Sequence, residues 1–169
     1  LAEASIDAIF DLWDPEDDWD VGRLEDEYGL AVREGTFISG LARAIGPLVK
    51  YYRVTGYAPA LELAVVLKDK AVAECFAEDG RYDGEVFGHH THSTTCVMSS
   101  LAQLADLTRD ESLLQRVKAF YDNGLWEIRD ALGWVIASSS VDADPDEGEV
   151  NNTGDIVETA LVLGRHGSP

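Results

Sequence analysis

The sequence predicts an all-α fold built from tandem antiparallel helix hairpins, arranged as in an (α/α)6 toroid and supplying only part of a full ring. Three observations predict this. Apolar residues recur at i, i+3 and i+4 through most of the chain. The chain overlays itself when shifted by 53 residues. The turns between apolar runs also match from one copy to the next, "VTGYAPAL" in the first answering "LTRDESLL" in the second.

Taken in order, residues 1–13 place Ile6, Ile9, Phe10 and Trp13 on one helical face. The acidic stretch 14–34 breaks the pattern with Pro15 and Gly22 and reads as a long loop. From about 37 to 54, Ile38, Leu41, Ile45, Leu48, Val49 and Tyr52 restore helical spacing. Gly56 stops that helix and Pro59 suits the first turn of the next, which runs to roughly Phe76. A loop, "AEDGRYDGEVFG", leads to a histidine cluster and a helix with Val97, Leu101, Leu104 and Ala105 on its apolar face. Asp110 opens another helix, carrying Leu113, Leu114, Val117, Phe120 and Tyr121. "GWVIASSSV" reads as a short strand and "DADPDEGEV" as an acidic loop. The last helix, about 153–165, uses Ile156, Val157, Ala160, Leu161 and Leu163.

In the 53-residue overlay Gly35 meets Gly88, Ile45 meets Met98, Leu48 meets Leu101, Thr55 meets Thr108 and Leu61 meets Leu114. A third copy begins near residue 147. Hairpins of this kind bury their faces by stacking side by side, in an open solenoid or a closed toroid. Closing six pairs needs roughly twice this length. The remainder of a toroid, or self-association, is therefore an expected partner. One domain or fragment spans 1–169, with rim loops at 77–91 and 127–152 where a site would sit.

Composition narrows the partners. The formal net charge is −19, from 32 acids against 13 bases, of which four are lysines. Such a surface repels phosphate backbones and anionic lipid, so neither nucleic acid nor membrane is expected as a partner. It suits a high-ionic-strength medium that screens self-repulsion. No run of eighteen apolar residues and no basic-then-apolar leader is visible, so neither a membrane span nor a signal peptide is expected; a soluble chain follows, and localisation is left open. A chain that opens on Leu1 reads as processed, truncated or part of something longer. Cys75 and Cys96 are too few for a disulfide scaffold and both read as buried apolar cysteines.

Chemistry concentrates in "VFGHHTHSTTCVMSS", where three of the four histidines fall within residues 89–92. His90, His92 and Glu149 offer three metal ligands with a fourth position open. The same histidines also suit hydrogen bonding at a helix N-terminus, and neutral imidazoles both donate to and accept from sugar hydroxyls. Trp126, Trp134, Tyr82 and Phe87 would supply stacking surfaces for a sugar. Glycoside hydrolysis wants a pair of acid and base groups; Glu149 is the first choice, with Asp83, Glu85 and Glu127 behind it. Asp155 and Glu158, three apart, read as a helix cap and its reciprocal partner. The D-x-D-x-D run at 142–146 invites calcium but fails the EF-hand pattern at Glu147 and Thr153. "NNT" at 151–153 is a glycosylation sequon. No serine elbow, Walker loop or GxGxxG is present.

"GHHTHSTTCVMSSLAQLADLTRDESLL", "GLWEIRDALGWVIASSS" and "EVNNTGDIVETALVLGRHG" resemble, in that order, the α/α-toroid proteins related to β-L-arabinofuranosidases. The resemblance covers about 34–167. It implies an (α/α)6 catalytic domain acting on glycans, with the histidine-bearing loop lining the sugar pocket and a zinc-thiolate site whose cysteine attacks the sugar. His90 and His92 match the "HTHS" element, Glu149 the family glutamate and Asp155 the acid of the following helix. The cysteine position holds Asn151, which can neither ligate zinc as thiolate nor attack an anomeric carbon. The expected catalytic residues are thus Glu149 and His92, and the expected substrate-binding residues His90, His89, Trp134 and Asn151. No cofactor is required, and zinc is the one the resemblance makes conceivable. The alternative is a non-catalytic helical-repeat module whose rim binds a glycan or scaffold partner without turnover.

Overall fold

A computed structural model describes residues 1–14, 18, 19, 26, 29, 36–144 and 146–167. Most of the acidic stretch 14–34, and Gly35 of the repeat, lie outside the described residues. The chain is mainly helical, as expected. The first helix, α1 (Ala2–Leu12), buries Ile6 and leans Ile9 and Phe10 on the core. Two-residue strands β1 (Trp13–Asp14) and β2 (Asp18–Trp19) then pair antiparallel, Trp13 opposite Trp19.

A 3₁₀ turn, Leu41–Ala44, leads into α2 (Ile45–Thr55). Gly56 ends α2 in the left-handed conformation, φ 70°, where a side chain would be strained. α3 (Ala58–Glu74) starts at once, with a proline in its first turn. A single helical turn, α4 (Gly84–Phe87), interrupts what reads as a plain loop in the sequence. Asp83 caps it by accepting from the Glu85 N–H. α5 (Thr91–Thr108) and α6 (Glu111–Asp122) form the second hairpin, and Asp110 caps α6 through the Leu113 N–H. After a 3₁₀ turn at Gly124–Glu127, a long crossing segment returns to α7 (Val150–Arg165).

α5 is the centre of the molecule, packing against α2, α6 and α7, while α3 backs α2 and α1 packs on α3. The C-terminal ends of α2, α5 and α7 meet, because Arg53, Arg165 and His166 all reach Asp106. The N-terminal ends of α5 and α7 meet as well, so these helices run parallel. α2 and α5 approach closely through small residues: a Cβ on Gly46 would lie 2.6 Å from Ser100 Oγ. Phe76, Phe87 and Phe120 pack mutually with ring centroids 5.0–5.2 Å apart, pinning α4 between the C-terminus of α3 and α6.

Enclosure on several sides explains the composition of α5. Beside Val97, Leu101 and Leu104 it buries Thr91, Ser93, Thr94, Thr95, Ser99, Ser100 and Gln103. Buried polar groups need partners; α7 supplies them for Thr95, Ser99 and Gln103, the crossing segment for Thr91, and the backbone of α5 itself for Ser100. Two sequence expectations are corrected here. "GWVIASSSV" forms isolated bridges, not a strand: Arg129 to Val135, Ile136 to Gly148 and Ser138 to His90. α7 starts at Val150 and turns Ile156, Thr159, Val162 and Leu163 inward, leaving Val157 and Leu161 exposed. Among the described residues no helix is long and apolar enough to cross a membrane.

Candidate functional site

The crossing segment between the second and third repeats assembles the site. Residues 136–139 lie between 89–91 on one side and 147–148 on the other. Ser139 N–H donates to His89 O at 3.0 Å and Thr91 N–H to Ala137 O at 3.3 Å. Thr91 Oγ1 donates to Ile136 O. On the opposite edge Ala137 N–H donates to Glu147 O at 2.8 Å. This pairing brings His90, at the N-cap position of α5, beside Glu149, at the N-cap position of α7. Gly88 (φ 80°) lets the chain turn into the cluster, and Thr36 Oγ1 donates to Phe87 O at 2.8 Å just before it.

Glu149 stands between two imidazoles. Its Oε1 is 2.7 Å from His90 Nε2 and its Oε2 is 3.3 Å from His92 Nδ1. The far nitrogen of each ring has its own neighbour. His90 Nδ1 is 2.8 Å from Ser93 Oγ, and His92 Nε2 is 3.5 Å from Asp155 Oδ2. The rings stand nearly perpendicular, at 89°. The three ligand-type atoms of His90, His92 and Glu149 all lie within 4.8 Å, and among the described residues no other His, Cys, Asp or Glu group converges in this way. The D-x-D-x-D run at 142–146 therefore has no converging carboxylates behind it among the described residues. Asp144 Oδ1 instead accepts the Asp146 N–H at 2.9 Å in a local turn.

Below this cluster a polar ladder runs between α5 and α7. Thr95 Oγ1 is 2.7 Å from Asn152 Oδ1 and 2.9 Å from Asp155 Oδ2. A hydroxyl has one proton and cannot donate to both. Either the Asn152 amide donates to Thr95, or Asp155 carries a proton and donates itself. Burial pushes the Asp155 carboxyl above its usual range, against the Thr95 hydrogen bond and the His92 charge. One turn on, Glu158 Oε2 accepts from Ser99 Oγ at 2.7 Å and Gln103 Nε2 at 3.0 Å. Asp155 and Glu158 are thus no capping pair: both lie inside α7 and serve α5.

The other expected residues scatter around this centre. His89 turns away, its Nδ1 3.1 Å from Ser139 Oγ and its Nε2 3.7 Å from Glu85. With Tyr82, Asp83, Glu85, Glu127 and Ser139 it lines a neighbouring cavity of about 610 Å³. Tyr82 is hydrogen-bonded to Ser139, and burial raises its hydroxyl pKa. Trp134 lies half exposed over Gly148, where an added Cβ would come within 2.5 Å of the indole. Trp126 stacks on the Arg129 guanidinium, 3.8 Å from its ring centroid. Phe87 is buried in the core, so it offers no surface to a ligand. Asn151 points outward and is exposed; its neighbour Asn152 is the buried one.

Sequence reasoning missed Thr95, Asn152, Ser99 and Gln103, and gave Glu158 only a capping role. The available signal was the helical spacing of His92, Thr95, Ser99 and Gln103, which puts them on one polar stripe. A zinc-thiolate centre does not fit this rim. Asn151 is exposed, Cys75 is buried elsewhere, and Cys96 is a thiol whose pKa burial pushes up, beside Arg43. An imidazole-carboxylate donor set is present instead. No family model matches the chain, and neither does any curated protein or solved structure.

Proposed function

We propose that the chain is a carbohydrate-active protein of glycoside-hydrolase type, with its sugar site on the rim where α5 and α7 begin. One observation carries this reading: two carboxylates, Glu149 and Asp155, flank the single imidazole of His92 at 3.3 and 3.5 Å. Acid-base chemistry on a glycosidic oxygen needs a positioned proton donor and a carboxylate, and this arrangement provides both. In this reading Glu149 is the general base and His92 the proton donor, oriented by Asp155. His90 and His89 hold sugar hydroxyls, and half-exposed Trp134 is a stacking platform beside them.

The packing of α2, α5 and α7 side by side, backed by α3 and α6, supports reading them as successive inner helices of an α/α toroid. The exposed Val150, Val157 and Leu161 on α7 would face the remainder of the ring or a second copy. The test is a thermal-shift screen of mono- and oligosaccharides in high salt, followed by turnover assays with the sugars that bind. A ligand at a hundredfold excess over its Kd adds about 2.7 kcal/mol of stability. Turnover lost in Glu149→Ala with the fold intact supports the reading; unchanged turnover ends that role for Glu149.

A second reading is a non-catalytic module that binds a glycan or a scaffold partner. Exposed Asn151, at the position the resemblance gives to a nucleophilic cysteine, favours it. A sugar that shifts the melting temperature and is never cleaved would select this reading.

A further inference from the structure

We infer that His90, His92 and Glu149 form a mononuclear site for a divalent transition ion of the zinc class, held by imidazole and carboxylate without any thiolate. It concerns the rim already proposed to hold sugar, and rests on that reading only for its location, since the ion binds whether or not a sugar does.

The first argument is spacing. Ligands of a tetrahedral zinc ion with bonds of about 2.0–2.1 Å stand about 3.3–3.4 Å apart. His92 Nδ1 and Glu149 Oε2 are 3.3 Å apart and are not aligned as a hydrogen bond, which is the separation of two ligands. His90 Nε2 lies 2.7 Å from the other carboxylate oxygen, Oε1, so it must draw back by about 0.6 Å to stand at ligand separation from that atom. The perpendicular rings, 5.9 Å between centroids, present their nitrogens from different directions.

The second argument is the far side of each ring. A ligating imidazole carries its proton on the nitrogen away from the ion, and that N–H wants an acceptor that fixes the tautomer and the ring. His90 has one within hydrogen-bond distance, and His92 faces a carboxylate at ion-pair distance. His90 turns Nε2 to Glu149 and Nδ1 to Ser93 Oγ at 2.8 Å. His92 turns Nδ1 to Glu149 and Nε2 to Asp155 Oδ2 at 3.5 Å. Asp155 is held in turn by the Thr95 hydroxyl. Ser93 and Asp155 would be positioning residues and not ligands. An ion here would engage His92 and Glu149 as ligands, so it would replace their acid-base roles and would itself supply positive charge to polarise a sugar hydroxyl or a water. Imidazole-rich ligation separates this centre from magnesium and calcium, which prefer oxygen alone.

The chain, stripped of metal with a chelator and kept in high salt to suppress loose binding to its acidic surface, is titrated with zinc and with cobalt(II). No sugar is present. One equivalent is expected, with the visible bands of a four-coordinate cobalt centre and no thiolate charge-transfer band. His92→Ala and Glu149→Ala should abolish the stoichiometric binding while circular dichroism shows the fold retained. Asp155→Asn should bind about ten- to a hundredfold more weakly with the same cobalt spectrum. Cys96 is not among the converging ligands, so Cys96→Ser should bind as the unaltered chain does, which keeps the test decisive if a histidine variant fails to fold. Three results overturn the inference: no stoichiometric ion in the unaltered chain, loss of binding in Cys96→Ser, or displacement by equimolar magnesium. Metal binding without sugar binding would leave this centre standing and remove the carbohydrate reading.

Discussion

Arg53 and Asp106 occupy equivalent places in two successive repeats, 53 residues apart, and bond to each other, Arg53 Nη2 lying 3.0 Å from Asp106 Oδ2. The same carboxylate takes Arg165 at 3.1 Å and His166 at 3.0 Å from the third repeat. One acid near the C-terminus of α5 thus ties together the ends of three parallel helices, at the opposite end from the histidine cluster. Cations at helix C-termini are also favoured by the helix dipole.

Burial alone would raise the Asp106 carboxyl, but the His166 hydrogen bond and the charges of Arg165 and Arg53 outweigh it and hold the pKa low. A carboxyl depressed in the folded state stabilises above its unfolded value of about 3.9, and that contribution is lost as pH falls through the folded value. Asp106→Asn should therefore lower stability by about 1 kcal/mol at neutral pH, the scale of partly exposed ion pairs. The deficit should vanish below the folded pKa. Denaturant unfolding at neutral and strongly acid pH measures both; an equal deficit at both would mean the ion pairs contribute nothing.

Salt should act on the whole chain with the opposite sign. At a net charge of −19 the folded surface repels itself. Raising ionic strength from 0.1 to 1 M shortens the screening length from about 10 to about 3 Å. The melting temperature should rise across that range even though the Asp106 cluster weakens, since many repulsions are screened for each attraction lost. The penalty of Asp106→Asn should shrink over the same titration. A melting temperature that falls with added salt would show that local ion pairs dominate.

The joints of the fold were legible wherever one residue type dictates a local conformation. Gly56, Pro59 and Asp110 punctuate the hairpins where the sequence places them, whereas the Arg53–Asp106 pair, at the same 53-residue offset, emerges only in the structure. Convergence of His90, His92 and Glu149 followed from assigning all three to the same rim. Long-range partners were not legible. The Asp155-to-Glu158 spacing suits a capping box and the inner face of a helix equally well, and only Thr95 and Ser99, about 60 residues away, decide between them. Asn151 and Asn152 differ by one position, yet about 100° of helix rotation puts one in solvent and the other in the ladder. Val157 and Leu161 read as core because periodicity marks an apolar stripe without saying what covers it.

Gly88 sets the entry of the chain into the histidine cluster. Its φ of 80° is unfavourable for any residue with a Cβ, and that atom would stand 2.8 Å from Thr36 Oγ1 and 3.2 Å from Thr36 Cγ2. Gly88→Ala should cost about 1–3 kcal/mol from backbone strain, with the Thr36-to-Phe87 hydrogen bond disturbed as well. His89 and His90 follow directly, so ligand binding at the rim should weaken by more than the stability change alone implies. Chemical denaturation and metal titration of the same variant separate the two effects. Full stability and unchanged binding would show that the loop relaxes without moving the imidazoles.

Glu158 tests whether the ladder between α5 and α7 holds the molecule together or only decorates it. Its carboxylate accepts from Ser99 and Gln103, which are 2 % and 6 % exposed, so removing it strands donors that water reaches poorly. The two are not equivalent. Ser99 can rotate its hydroxyl onto the carbonyl one turn back in α5, as helical serines do. The Gln103 amide has only Ser99 Oγ left, at 3.3 Å, so it bears most of the loss. Glu158→Ala should then cost about 1–3 kcal/mol, the penalty of one stranded buried donor. Glu158→Gln should recover most of it, because both donors bond the single atom Oε2 and an amide oxygen in that place still accepts from both. Equal destabilisation in both variants would mean that the charge of Glu158, not its hydrogen bonding, joins α7 to α5.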